Sequence, residues 1–195
     1  IDLPGENKGI MFSYDKFGVL EQATVAFGQG ISVTPLQLVR AISAAVNGGY
    51  LYQPYIVSKI KDPLTGEVVN ETTPTCLRQV ISEETSAKMR DALETVVTDG
   101  GGKNAYIEGY RIGGKTGTAQ KAVNGSYVGG GYILSFVGIA PIDDPEIVLY
   151  VALDNPKNCI QYGGTTVAPI ARNMLADMLP SLGVEKVDSQ REKVK

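Results

Sequence analysis

The chain has 195 residues, 43% hydrophobic and 20% charged, enough for one good-sized soluble domain or most of one. Its 18 basic and 21 acidic residues leave a net charge of −3, which argues against nucleic acid as a partner. Histidine is absent, which excludes Ser-His-Asp and Cys-His mechanisms and most zinc sites, so acid–base chemistry falls to Lys, Tyr, Asp or Glu, or to groups on another segment.

In chain order, Ile1-Asp2-Leu3-Pro4-Gly5-Glu6 reads as the middle of a protein rather than a signal peptide. With no initiator Met, the chain is expected to be a piece of something longer. Residues 1–33 are rich in glycine and read as loop with a short helix. Thr34-Pro35-Leu36-Gln37 joins an N-cap, a first-turn proline and a capping-box Gln. It opens a helix carrying Leu38, Val39, Ile42, Ala45 and Val46, closed by Gly48-Gly49. Tyr55–Lys61 and Glu67–Val69, joined by Asp62-Pro63-Leu64-Thr65-Gly66, form a surface hairpin. Ser82 caps a second helix to about Val97, with Met89, Leu93 and Val96 as its expected buried face.

After a flexible loop at Asp99–Asn104, three strands are expected: Lys115 to about Ala122, Ile133–Ala140 and Glu146–Leu153. The last two are almost continuously apolar, so both of their faces should be covered. The links between them, holding Gly125-Ser126 with Gly129–Gly131 and Asp143-Asp144-Pro145, are too short for parallel crossovers. A helix over Pro169–Leu179 presents Ile170, Met174, Leu175 and Met178, ended by Pro180 and Gly183. A charged tail over 184–195 reads as solvated linker. The fold class is α+β, an antiparallel sheet flanked by helices. No stretch approaches the roughly 20 apolar residues of a membrane span. Cys76 and Cys159 lack zinc-knuckle spacing; a disulfide between them and two free buried thiols are both open.

Residues 109–120, GYRIGGKTGTAQ, satisfy the phosphate-loop pattern G-x-x-x-x-G-K-[ST] from Gly109 to Thr116. The run IVLYVALD (147–154) even supplies an apolar strand ending in an acid. A phosphate loop needs a helix after the lysine, yet Gly117, Gly125, Gly129, Gly130 and Gly131 follow it. Residues 104–108 are too polar for the feeding strand, and the links predict the wrong sheet. The nucleotide reading fails.

The same residues contain K-T-G followed by Thr, the third signature of penicillin-recognising serine enzymes. With SFVGIAPIDDPEIVLYVALDNP (135–156), AFGQGISVTPLQLVRAISAAVNGG (26–49) and YGGTTVAPIARNML (162–175), it closely resembles class B penicillin-binding proteins. The match is nearest to the Gram-positive division and sporulation members. The resemblance runs from IDLPGE nearly to Leu182, placing a C-terminal portion of a transpeptidase domain at 1–182 and a linker or tail at 183–195.

The resemblance implies a serine-type D,D-transpeptidase that cross-links peptidoglycan stem peptides on the extracytoplasmic face of the bacterial cytoplasmic membrane. A serine attacks the penultimate D-Ala carbonyl, and β-lactams stall the acyl stage. No cofactor and no metal is implied. Lys115 would be a fixed cation stabilising developing negative charge. Thr116 and Thr118 would offer hydroxyls to the substrate carboxylate, with the Thr118 N–H as half of the oxyanion hole. Gly117 would let the substrate lie against the strand as an added edge. Gly113 and Gly114 would clear space at its start.

Two more family motifs, S-x-x-K and S-x-N, are needed. S-x-x-K is spelled at Ser13–Lys16 and Ser58–Lys61 without the apolar helix of a nucleophile, and S-x-N is absent. Both true motifs are expected upstream, with a membrane anchor further still. The 195 residues alone are expected not to acylate, and they either partner the N-terminal part of their own domain, pair with themselves, or fold as a shortened piece. Without that part, the 146–153 strand is expected to be an exposed apolar edge. The alternative is a non-catalytic homologue that binds wall peptides or partner proteins.

Overall fold

The computed structural model describes residues 1–123 and 126–187. Residues 1–86 and 87–195 form two compact units.

In the first unit, helix α1 (Val19–Ala26) is the short helix expected in the glycine-rich start. The Glu21 carboxylate accepts from the Gly18 N–H at 3.0 Å, closing its first turn. Helix α2 (Pro35–Val46) opens on the expected capping box: the Gln37 N–H donates to Thr34 Oγ1 at 3.2 Å, and the Thr34 N–H to Gln37 Oε1 at 2.9 Å. Gly48 and Gly49, at φ +94° and +93°, turn the chain out of it.

Strand β1 (Tyr50–Tyr52) follows at once. Strands β2 (Lys59–Lys61) and β3 (Val68–Glu71) form the hairpin, and β4 (Cys76–Gln79) returns to pair antiparallel with β1. The β1–β4 pair was not expected from the sequence; strands of three and four residues are too short to show alternation.

Helix α3 (Glu83–Thr98) starts at Ser82, whose Oγ accepts from the Thr85 N–H at 3.1 Å. Its buried face differs from expectation. Ser86 and Val97 are buried, Leu93 and Val96 are half-buried, and Met89 is 40% exposed. Ser86 goes inside because its hydroxyl donates to the Ala45 carbonyl at 2.9 Å and accepts from the Gly48 N–H at 3.0 Å.

The second unit is built on one antiparallel sheet in the order β5 (Gly113–Val123), β6 (Ser126–Ala140), β7 (Ile147–Asp154). The expected glycine link before Ile133 is therefore strand from Ser126 on; Gly125 lies outside the described residues. Register places Gly114, Thr116 and Thr118 opposite Gly138, Phe136 and Leu134, and these opposite Leu149, Val151 and Leu153. All nine side-chain positions share one face.

Helix α5 (Ala168–Ser181) covers that face through Ala168, Ala171, Leu175 and Leu179. This corrects the expected stripe. Leu175 is buried as expected, but Ile170 and Met174 are 39% and 41% exposed. Small alanines bring the helix backbone close to the sheet, and Gly138 leaves room for the Leu175 side chain. Pro180 sits within the last turn instead of ending the helix. On β6 both faces are covered at 136–140, as expected. On β7 the expectation of two covered faces fails and that of an exposed apolar edge holds: its residues are only half-buried or exposed, because β7 is an edge strand among the described residues.

Beyond α5 the chain packs back. The Val184 N–H donates to the Leu179 carbonyl, the Val187 N–H to the Gly109 carbonyl at 2.8 Å, and the Lys186 ammonium lies 5.8 Å from the Tyr110 ring centre. Residues 184–187 of the expected linker are thus held against the unit, and 188–195 lie outside the described residues. Cys76 and Cys159 are both free thiols, and Cys76 is exposed, so neither the disulfide nor a fully buried pair is found. Among the described residues no helix is long and apolar enough to cross a membrane.

Candidate active site

The K-T-G-T residues lie on β5, whose outer edge is unpaired among the described residues. Thr116 and Thr118 project from the core-side face and Lys115 from the other. Lys115 is exposed, and its ammonium turns back to donate to the Thr116 carbonyl at 2.8 Å. The cation and both hydroxyls therefore sit along one short stretch of one strand.

Beside this stretch runs a second segment. The four-residue helix α4 (Gly163–Thr166) follows Tyr162, and the Gly163 N–H donates to Thr118 Oγ1 at 3.2 Å. Gly163 and Gly164 are buried. A Cβ on Gly163 would run into the carbonyl oxygens of Gly117 and Ser135. On Gly164 it would run into the Gly101 carbonyl, close to the Tyr162 ring and the Thr116 methyl. The Asn104 amide donates to the Gly164 carbonyl at 2.9 Å, tying the 101–105 turn to the same place.

The strand glycines also make room within the unit itself. A Cβ on Gly113 would strike Ile142 and on Gly114 the Phe136 ring, so both make room for the unit's own core. On Gly117 it would meet the Ser135 hydroxyl of the adjacent strand. Ser13 and Ser58 are exposed residues of the first unit, at the edge of a turn and before β2. Asn104, Gly163 and Gly164 carried no role in the sequence reading. The signal was present in YGGTT, two glycines inside a stretch already matched to the family.

A separate shallow cavity of about 200 Å³ is lined by Arg90, Asp91, Glu94, Arg111, Ile142 and Asp143. Hydrogen bonding to Glu94 raises the pKa of Arg111 above the usual arginine value, with burial opposing and the Glu94, Asp143 and Asp91 charges assisting. Its cation is already engaged by acids. Among the described residues no group of three or more His, Cys, Asp or Glu is placed to hold a metal ion.

Comparison with known proteins agrees with this geometry. Residues 1–176 match the family model described as penicillin binding protein transpeptidase domain. Stage V sporulation protein D of Bacillus subtilis is 57% identical over 193 residues, covering 99% of this chain and 30% of that protein. The probable peptidoglycan D,D-transpeptidase PenA of Neisseria flavescens is 32% identical, covering 93% of this chain and 42% of its own length. This chain spans less than half of either relative.

Two solved structures are similar throughout. The apo transpeptidase domain of Burkholderia pseudomallei penicillin-binding protein 3 superposes with a TM-score of 0.78 at 34% identity, covering 95% of this chain and 54% of that one. Penicillin-binding protein 3 of Mycobacterium tuberculosis in complex with aztreonam gives 0.84 at 31% identity, covering 96% and 44%.

Proposed function

The chain belongs to the class B penicillin-binding-protein transpeptidases, of the Gram-positive sporulation type, and on that footing we propose that it supplies the carboxylate- and oxyanion-binding wall of a peptidoglycan D,D-transpeptidase. The observation that carries the reading is the open edge of β5, with Thr116 and Thr118 on one face and the exposed Lys115, directly before Thr116, on the other. A stem peptide ending in D-Ala-D-Ala adds to this edge as an extended strand. Its carboxylate takes hydrogen bonds from the two threonine hydroxyls. Lys115 stabilises the negative charge that develops as the tetrahedral intermediate forms, and the Thr118 N–H donates to the oxyanion.

The attacking serine and its lysine base come from a segment of the parent protein outside these 195 residues. Ser13 and Ser58 are not that serine. Ser13 precedes a single turn, Tyr14–Lys16, and Ser58 precedes an exposed strand of three residues, so neither stands on an apolar helix. β-Lactams acylate the upstream serine and occupy the β5 wall through their own carboxylate. The reaction takes place on the extracytoplasmic face of the membrane.

Intact-mass spectrometry after incubation with a penicillin tests this, on the 195-residue chain alone and together with the upstream segment. An adduct only in the mixture, on the upstream piece, is expected. An adduct on the isolated chain would place the nucleophile at Ser13 or Ser58 and overturn the split site. A folded mixture that never acylates would favour a non-catalytic wall-peptide binder.

A further inference from the structure

We propose that Asn104 is a positioning residue for Thr118, acting through the Gly163-Gly164 turn to commit the Thr118 hydroxyl proton to the substrate carboxylate. The inference rests on the carboxylate-wall reading and extends it to residues off the K-T-G-T strand.

A threonine hydroxyl has one proton to give and two lone pairs. At Thr118 the Gly163 N–H, 3.2 Å away, occupies a lone pair. With acceptance settled on that side, the O–H is turned away from the turn and left to donate. A hydroxyl that accepts while it donates is also polarised, which strengthens the bond it gives to an anion.

The Gly163 N–H can orient Thr118 only if the turn is fixed. Two contacts fix it. The missing Cβ of Gly163 lets its backbone lie directly on the Gly117 and Ser135 carbonyls. Behind it, the Gly164 carbonyl is held by the Asn104 amide at 2.9 Å. Asn104 is itself anchored by its neighbour Ala105, which is fully buried in the core and donates its N–H to the Gly102 carbonyl at 2.8 Å. The chain of contacts is continuous from the core to Asn104, to Gly164, to Gly163 and to Thr118.

The test uses the full-length parent protein and compares acylation by benzylpenicillin with acylation by its methyl ester, which lacks the carboxylate. Asn104→Asp keeps the side-chain shape but turns an acceptor oxygen toward the Gly164 carbonyl. It is expected to slow acylation by benzylpenicillin about fivefold, the scale of one hydrogen bond, and to leave the methyl ester rate unchanged. Thr118→Val is expected to slow the penicillin reaction about tenfold. The double variant should then be no slower than Thr118→Val, because Asn104 acts through Thr118.

Multiplicative effects in the double variant, equal slowing of both reagents, or a wild-type rate for Asn104→Asp would overturn the inference alone. A wild-type penicillin rate in Thr118→Val would instead remove the carboxylate-wall reading and the inference with it. If Asn104→Asp does not fold, Asn104→Ala is read by the same ratio of the two reagents.

Discussion

Arg111 and Glu94 meet as a two-pronged pair, with Nε 2.8 Å from Oε1 and Nη2 2.6 Å from Oε2. Asp143 lies 3.5 Å from Nη1 on the other side. The pair fastens helix α3 to the residue that leads into β5, and the Arg111 carbonyl accepts from the Ile142 N–H at 3.0 Å. Arg111→Lys keeps the charge but cannot reproduce the parallel bonds. Both side chains are about a quarter exposed, so solvent screens part of the interaction. Denaturant unfolding should show a loss of about 1 kcal/mol with an unchanged slope. An unchanged midpoint would mean that the pair adds nothing.

The placement of α5 is tested by two adjacent substitutions. Leu175 is fully buried against the sheet, whereas Met174 is 41% exposed. Leu175→Ala should cost about 2–4 kcal/mol, through lost burial and the cavity left behind. Met174→Ala should stay within about 0.5 kcal/mol. Comparable losses at the two positions would restore the face expected from the sequence, which held both residues.

Gly163 and Gly66 contrast two reasons for glycine. A Cβ at Gly163 meets two carbonyl oxygens of the sheet, neither of which moves alone. Gly163→Ala should cost about 2 kcal/mol or more and slow acylation by disturbing Thr118. Gly66 has φ +74° with open space around it, so Gly66→Ala should cost only about 1 kcal/mol. Equal losses would mean that the close approach at Gly163 is relieved by small shifts.

The hairpin turn has a pH signature. Asp62 Oδ1 accepts from the N–H groups of Thr65 and Leu64, at 2.9 and 2.8 Å, which lowers its pKa below the ordinary 3.8. A lowered carboxyl pKa stabilises the folded turn above the unfolded pKa, and that contribution is lost as pH falls through the folded one. The turn should therefore be intact at neutral pH and loosen only below 3.8. A titration of the Asp62 carboxyl carbon by NMR should give a midpoint below that value, with the Leu64 and Thr65 amides shifting together. A midpoint above it would contradict the bonding.

How much of this was legible in the sequence depended on how local each cause was. The α2 capping box involves residues three apart, and the structure keeps both of its bonds. The antiparallel order of β5, β6 and β7 followed from link lengths. Helix faces were less legible, because counting apolar residues favours methionine over serine. Ser86 is buried for two hydrogen bonds to residues about forty positions away, and Met89 stays outside. Helix α4, spelled Gly-Gly-Thr-Thr, has poor helix formers and exists where glycine allows contact with β5. K-T-G-T was readable as a motif, but its support from Asn104 and Gly163 spans 60 and 45 residues of sequence separation.

The middle position of β6 also sets a clock on the amides of the sheet. From 133 to 139 this strand is bonded to β5 on one side and β7 on the other, so its N–H groups should exchange with solvent only when the sheet opens. Strand β5 is bonded on one side only, so alternate N–H groups between 113 and 119 exchange quickly in the unliganded unit. A peptide laid along that edge would slow those alternate amides and leave the rates in β6 unchanged. The proposed binding edge would thus carry a deuterium footprint of every other residue.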